Sequence, residues 1–321
     1  MIKALCFSKL LKRFTLPILL ISLFFSMLLF PKAVFSGAAN GLLLWFHTVL
    51  PTLFPFIFIC NLLIETGTIR YLLRITSPFL CNFFHVTPYG SFAVLTGFLC
   101  GYPMGSKVAS DLYRCGHITK SECNYLVSFC NNTSPMFIIS FLVMQNFKNQ
   151  ALTFPTLFIL CLSPVLCSFL FRLTYKRDED YAQEKLEIYE KENISSNVFF
   201  DNSISNAFES ITKVGAYIIV FSVLIQLFLE IPFPESDINI FLISCLEITT
   251  GITLLCKCSL SGKIIYVLCL FLTSFGGFCA AAQTQSMLKG TGISLSSYLI
   301  KKLVTALVTS LLAFIYLTIF T

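Results

Sequence analysis

The chain has 321 residues, of which 56% are hydrophobic and only 12% charged, and its mean hydropathy is +0.82. Soluble domains carry about 25% charged residues, so a water-soluble fold of this composition would expose large apolar patches. The net charge of +6 comes from basic residues that flank apolar segments, which argues against a nucleic-acid-binding surface and indicates a membrane protein.

Long charge-free stretches predict the architecture. A helix needs about 20 apolar residues to cross a membrane. Asp, Glu, Lys and Arg are absent from residues 16–31, 33–64, 75–106, 126–147, 151–171, 214–229, 264–288 and 303–321. The strands of a membrane β-barrel would be short segments of alternating hydrophobicity, and the sequence lacks that pattern. We therefore predict an all-α, polytopic integral membrane protein.

Residues 1–35 are predicted to form an N-terminal transmembrane helix, over about 14–35. Four basic residues between positions 3 and 13 precede its apolar part, which places the N-terminus in the cytoplasm by the positive-inside rule. A cleaved signal peptide would also begin with a basic and then an apolar region. The apolar run is long for a signal peptide, which favours the uncleaved helix.

Residues 36–175 are predicted to form a first membrane repeat. Its first helix, about 39–66, contains Pro51 and Pro55. Prolines four residues apart either simply kink the helix or leave carbonyl groups free towards the protein interior. Residues 69–84 predict an interfacial or half-buried helix. The remaining predicted helices lie near 103–116, 120–134, 135–147 and 151–175.

A densely charged segment, residues 176–200, is predicted to be a cytoplasmic linker between the first repeat and a second one, residues 201–321. The second repeat is expected to have spans near 204–230, 238–256, 264–280 and 296–321. The two halves show weak similarity, since residues 101–119 can be laid on residues 276–294: both begin with glycine, continue through small residues and end with Gly before Ile-Thr or Ile-Ser. Duplicated halves are typical of transporters, in which the solute site lies where the repeats meet.

The strongest local signal is the sequence Gly101-Tyr102-Pro103, which ends an apolar segment and precedes Gly105. Glycine permits a sharp interruption of a helix, and proline is favoured at the first position of a new one. We therefore predict a discontinuous helix whose second part begins at membrane depth. Its free N–H groups would attract an anion.

Lys107 lies one turn into this second part and would add a full positive charge beside the anion. The alternative is a helix at the membrane surface on which Lys107 pairs with Asp111, and Asp111 with Arg114. The sequence leaves both interpretations open.

A run of polar residues, Asn131, Asn132, Thr133 and Ser134, stands between two apolar helices and ends at Pro135. Amides and hydroxyls inside a membrane need hydrogen-bond partners. Such a run either lines a solute cavity or forms a helix C-cap and a turn at the membrane surface.

The second half carries comparable residues. Gly276 and Gly277 are predicted to break a helix, and Gln283 follows in a charge-free run. Glu247 is an acid in apolar surroundings, and an ionisable group inside a membrane is a candidate functional residue. It would bind a coupling cation or proton, or it would pair with Lys107 or cap a helix.

Enzyme signatures are missing from the sequence, which has no GxSxG, HExxH, Walker or dinucleotide-binding motif. The fourteen cysteines form no CxxC pair, and the three histidines are scattered. We predict no catalytic residues, no metal site, no cofactor and no nucleic-acid partner.

Four motifs resemble those of the YlbJ-type sporulation integral membrane proteins of endospore-forming bacteria, which belong to the wider nucleoside-recognition (Gate) domain group. The motifs are GFLCGYPMGSKVASDL, LVSFCNNTSPMFI, LEITTG and FGGFCAAAQTQSML, in that order. The resemblance covers roughly residues 35–321. Where the family usually has a small residue and a histidine before the glutamine at Gln283, this chain has Ala281 and Ala282.

The resemblance implies passage of dipicolinate, a pyridine dicarboxylate, from the mother cell towards the forespore, across the outer forespore membrane. We therefore predict a carrier or facilitator of a small anionic solute embedded in the lipid bilayer. A non-transporting scaffold for spore-envelope assembly is the alternative function. A homo-oligomer or other sporulation membrane proteins are candidate partners.

Overall fold

The computed structural model describes residues 17–175, 196–230 and 236–320, and all regular structure within them is helical. The helices of the first half are α1 (Pro17–Leu29), α2 (Pro31–Leu44), α3 (Leu50–Glu65), α4 (Ile69–Phe84), α5 (Pro88–Cys100), α6 (Met104–Arg114), α7 (Lys120–Cys130), α8 (Pro135–Phe137) and α9 (Thr153–Arg172). Those of the second half are α10 (Ser196–Glu230), α11 (Asp237–Ser244), α12 (Ile248–Leu255), α13 (Gly262–Phe275), α14 (Gly277–Met287) and α15 (Leu295–Phe320).

Five helical segments in the described residues are long and apolar enough to cross a membrane. They are Pro31–Glu65, Gln150–Arg172, Phe199–Glu230, Gly262–Met287 and Leu295–Phe320. A sixth candidate is a pair of helices bent by 90°, Ser77–Phe84 and Pro88–Cys100. This pattern confirms the predicted all-α, polytopic membrane protein.

The first helices differ from the prediction. The first helix ends before Phe30, and the second begins at Pro31 rather than near residue 39. The helix is interrupted there because proline has no N–H to donate to the preceding turn. From Pro31 the helix is continuous to Glu65 through a π-helical turn, Trp45–Val49. The effect near Pro51 and Pro55 is therefore a local widening of the helix, just before Pro51.

Two glycines let α2 pack directly against α10. A Cβ on Gly37 would lie 2.8 Å from the Cα of Val223, and one on Gly41 would lie 2.8 Å from the Cα of Ile219. Close backbone approach at small residues is the usual way in which membrane helices associate, because lipid offers no hydrophobic force to drive them together.

The predicted half-buried helix is present as α4. Ile69 and Leu73 are buried, whereas Tyr71, Ile75 and Phe79 are exposed. Apolar side chains exposed on an amphipathic helix suit the lipid interface.

The linker prediction falls mostly outside the described residues. Within them, α10 begins at Ser196, so the helix starts earlier than the predicted position near 204. The predicted span near 238–256 is divided into α11 and α12, and that interruption was not predicted.

Candidate functional site

The site is built from four places where a membrane helix stops and restarts. Break A is residues 101–103, between α5 and α6, and break B is residues 131–134, between α7 and α8. Break C is residues 245–247, between α11 and α12, and break D is Gly276, between α13 and α14. Each break frees backbone groups that cannot be left without partners in a membrane, and the four breaks supply partners to one another.

Break B caps the helix that follows break A. The backbone N–H of Ser106, in the first turn of α6, donates to Asn131 Oδ1 at 3.4 Å. The Asn131 amide also donates to Thr284 Oγ1 at 2.8 Å and to the Tyr298 hydroxyl at 2.9 Å. Asn131 is fully buried, so it holds α6, α14 and α15 together.

Break C caps the helix that follows break D. The N–H groups of Phe278 and Cys279 donate to the carbonyls of Cys245 and Leu246, both at 2.8 Å. Gly276 and Gly277 both have positive φ angles, 85° and 76°, which only glycine adopts readily. The predicted break at these glycines is therefore present.

Break C is itself closed by Glu247, which is the N-cap residue of α12. Its carboxylate accepts hydrogen bonds from the N–H groups of Thr249 at 2.9 Å and Thr250 at 2.8 Å, and from the Thr249 hydroxyl. The positive end of the helix dipole favours a negative charge there. The capping interpretation of Glu247 is thus the one that the geometry supports, and no pairing with Lys107 occurs.

Breaks A and B are tied to the end of α13. The Tyr102 hydroxyl donates to the Ser274 carbonyl at 2.9 Å, and the Thr133 hydroxyl donates to the Thr273 carbonyl at 2.8 Å. These carbonyls belong to the last turn before break D, where they lack helical partners. Breaks A and D therefore lie next to each other.

A cavity of about 170 Å³ lies among the breaks, and we call it the central cavity. It is walled by α2, α3, α8, α10 and α14, together with breaks A to C. Its polar lining residues are Thr48, Thr52, Tyr102, Thr133, Ser134, Ser140, Glu247, Thr249 and Gln283. The rest of the wall is mainly apolar, so the cavity is less polar than the sequence led us to expect.

A second, charged pocket of about 420 Å³ lies further along the same helices. It is lined by Asn61, Ile64, Glu65, Lys107, Asp111, Arg114, Cys115, Asn206, Glu209, Ser210, Lys213, Ser286, Met287 and Lys289. Helices α3, α6, α10 and α14 all contribute to it. We call it the charged pocket.

Lys107 belongs to the charged pocket and not to the central cavity, which corrects our first interpretation of it. Its ammonium pairs with Asp111 at 2.7 Å, and Asp111 also accepts from Arg114 at 2.9 Å. This is the alternative arrangement that the spacing allowed. The i, i+4 and i, i+3 separations place the three side chains on one face of α6.

The thirteen predicted site residues therefore divide into two groups. The central cavity is lined by Gly101, Tyr102, Thr133, Ser134, Glu247 and Gln283. The other seven do not line the cavity, and they lie in the breaks, in the first turns of α6 and α14, or in the charged pocket: Pro103, Gly105, Lys107, Asn131, Asn132, Gly276 and Gly277.

One buried residue that sequence reasoning missed is Lys302, on α15. Only 1% of its surface is exposed, and Nζ donates to the Asn131 carbonyl at 3.1 Å and to Asn132 Oδ1 at 3.2 Å. Nζ also lies 5.0 Å from the centroid of the Tyr102 ring. The sequence signal that could have indicated this residue is the pair Lys301–Lys302, which lies inside an otherwise apolar helix.

These features define the class of the protein: a multi-pass α-helical membrane protein with interrupted helices around an internal cavity. The chain is 24% identical over 307 residues to the sporulation integral membrane protein YlbJ of Bacillus subtilis (strain 168), covering 85% of this chain and 75% of that protein. This similarity confirms the resemblance predicted from the motifs and supports a YlbJ-type assignment. No family model and no solved structure matches the chain, so membership of the nucleoside-recognition group stays a prediction.

Proposed function

We propose that this protein carries or facilitates the passage of a small polar anion across the membrane, and that the anion is dipicolinate during sporulation. The observation that carries the proposal is the set of four interlocked breaks around the central cavity. Interrupted helices at membrane depth are maintained at the cost of lost helical hydrogen bonds, and in transporters they surround the substrate.

The layout of the two pockets supports a route. Helices α3, α6, α10 and α14 line the charged pocket, and α3, α10 and α14 continue to the central cavity. A packed apolar cluster contains residues from both walls, since Val214, Ile218 and Cys279 line the central cavity and Met287 lines the charged pocket. We infer that the charged pocket is the entrance, that the cluster is a closed gate, and that the central cavity holds the solute.

The chemistry of the central cavity fits a small planar anion with hydrogen-bonding edges. Hydroxyl groups from Thr48, Thr52, Ser134 and Ser140 and the amide of Gln283 border an apolar space. Ligand sites are commonly apolar pockets with a few placed polar groups. The proposed role is transport without chemical change of the solute, so we expect no enzymatic activity, and we place the protein in the outer forespore membrane.

The test is uptake of radiolabelled dipicolinate by proteoliposomes that contain the purified full-length protein, with labelled uridine as a second solute and protein-free liposomes as background. We expect uptake of dipicolinate above that of uridine. Because dipicolinate chelates divalent cations, the buffers should be free of them. Equal uptake with and without protein would contradict transport and leave the scaffold alternative.

A matched pair of variants ties the uptake to the cavity. Ala280 lines the central cavity, whereas Ala282, on the same helix, does not. Ala280→Leu should reduce uptake at least several-fold because the added side chain occupies the cavity, and Ala282→Leu should leave it near the wild-type rate. Equal effects of the two variants would place the route elsewhere.

A further inference from the structure

Lys302 is a buried lysine whose contacts in the structure are all with neutral groups. It lies within α15, one of the segments able to cross the membrane. Its ammonium contacts the Asn131 carbonyl, Asn132 Oδ1 and the face of the Tyr102 ring. Ionisable groups inside membranes are costly to maintain, and they usually pair with an opposite charge or mark a solute pathway.

No carboxylate among the described residues serves as the counterion of Lys302. The ion pairs found there are Lys107–Asp111, Arg114–Asp111 and Lys213–Glu209. All of them line the charged pocket. A buried charge without a partner of opposite sign carries a large desolvation penalty, so the site is electrostatically incomplete as it stands.

The central cavity is the space in which an anionic counterion of Lys302 would lie. Tyr102 lines that cavity, and the Lys302 ammonium lies against its ring. Glu247, the acid that also lines the cavity, has its charge stabilised by the first turn of α12. The Lys302 ammonium is stabilised in a comparable way by the Asn131 carbonyl at the end of α7, but it has no carboxylate partner among the described residues, so its charge attracts an anion in the cavity.

We propose that Lys302 is the residue that makes the central cavity select anions, and that a carboxylate of the solute is its counterion. This inference rests on the proposed function and assigns the charge class of its solute. The neutral contacts hold the ammonium in place without cancelling its charge, and the face of the Tyr102 ring, whose centroid lies 5.0 Å from Nζ, also attracts the cation. The ligand class is a small mono- or dicarboxylate with a planar body.

The neighbouring lysine provides a matched control. Lys301 is half-buried, and its ammonium lies 5.9 Å from the Phe171 ring instead of near the breaks. In purified protein in detergent, dipicolinate binding should weaken roughly tenfold or more in Lys302→Met, because a unit positive charge is removed from surroundings of low dielectric constant beside the cavity. Lys301→Met should bind like the wild type.

A second variant keeps the lysine and gives it a counterion from the protein itself. Asn132→Asp places a carboxylate at the position of Asn132 Oδ1, which lies 3.2 Å from Nζ. We expect this variant to lose dipicolinate binding to the same extent as Lys302→Met, and its thermal midpoint is measured because the Asn132 amide also donates to the Phe129 carbonyl at 2.6 Å. It also provides the test if Lys302→Met does not fold, which size-exclusion chromatography would reveal.

Binding and transport are measured separately, so that the two proposals fail separately. Dipicolinate binding that depends on Lys302 supports this inference even if proteoliposomes show no uptake. Uptake or binding of dipicolinate that is unchanged in both Lys302→Met and Asn132→Asp would overturn it, even if the wild-type protein transports. Absence of binding and uptake in the wild type would overturn both.

Discussion

At the residue scale, the breaks depend on positions where only glycine fits. A Cβ on Gly97 would lie 1.9 Å from the Cys130 carbonyl oxygen, and one on Gly105 would lie 2.2 Å from the same atom. The Cys130 carbonyl at the end of α7 therefore occupies the space that two side chains would fill. Gly105 allows close packing of α6 against α7, and it does not line the central cavity.

This packing gives a stability prediction. Gly105→Ala should push the Cys130 carbonyl away and destabilise the protein by about 1–3 kcal/mol, the usual cost of overpacking. The thermal midpoint in detergent measures this. Gly262→Ala is the control, since a Cβ there meets nothing within 4 Å. A midpoint unchanged in Gly105→Ala would show that break B can move without cost.

The two lysines show how far residue-level prediction reaches. Lys107 stands one turn after a predicted break, and helix spacing correctly gave its possible partners Asp111 and Arg114. Spacing could not decide whether they pair, because that depends on whether the face of α6 is turned to the cavity. Lys302 was missed because two adjacent lysines near the start of an apolar run resemble an anchor at the membrane surface.

At the element scale, the gate between the two pockets depends on Met287. It lines the charged pocket and packs with Val214, Ile218 and Cys279, which line the central cavity. Met287→Ala should connect the two spaces by removing a side chain that is 7% exposed. Under the proposed function we expect dipicolinate uptake to rise at least twofold.

The control for this prediction is another methionine. Met144 is 51% exposed and lines neither pocket, so Met144→Ala should leave uptake unchanged. Slower uptake in Met287→Ala, with the thermal midpoint preserved, would mean that the side chain contacts the solute rather than closing the route.

The local sequence at each break explains why three of the four breaks could be predicted and one could not. Breaks A, B and D carry glycine, proline or a run of polar residues, and each was expected from the sequence. Break C has the sequence Cys245-Leu246-Glu247, which contains no glycine, no proline and no run of polar residues. Its one polar residue is the acid Glu247. It is stable because Phe278 and Cys279 donate to its carbonyls, and such a tertiary contact leaves no local pattern to read.

At the scale of the whole molecule, the pockets give the route an orientation. The charged pocket includes Asn206 and Glu209, near the start of α10, which follows the segment predicted to be a cytoplasmic linker. Arg172, Lys176 and Arg177 follow the preceding span, and they support the cytoplasmic assignment. The charged pocket is therefore expected to open to the cytoplasm, which in a sporulating cell is that of the mother cell.

Cys115 tests this orientation, because it lines the charged pocket and is the exposed cysteine among the described residues. Burial of part of the side chain, and then the Asp111 carboxylate, raises the pKa of the Cys115 thiol. The thiolate is the reactive form, so labelling by a membrane-impermeant maleimide should be slow at neutral pH and accelerate as the pH rises above the ordinary range of a thiol.

We expect Cys115 to be labelled in inside-out vesicles and protected in right-side-out vesicles. A Cys6→Ser background removes the cysteine of the N-terminal segment, and Cys115→Ser in that background gives the residual signal. If the charged pocket is the entrance, dipicolinate should slow the labelling of Cys115, whereas uridine should not. Labelling from the opposite face would mean that the molecule has the opposite orientation and that the solute enters from the other side. The proposed roles of the central cavity and of Lys302 do not depend on the orientation.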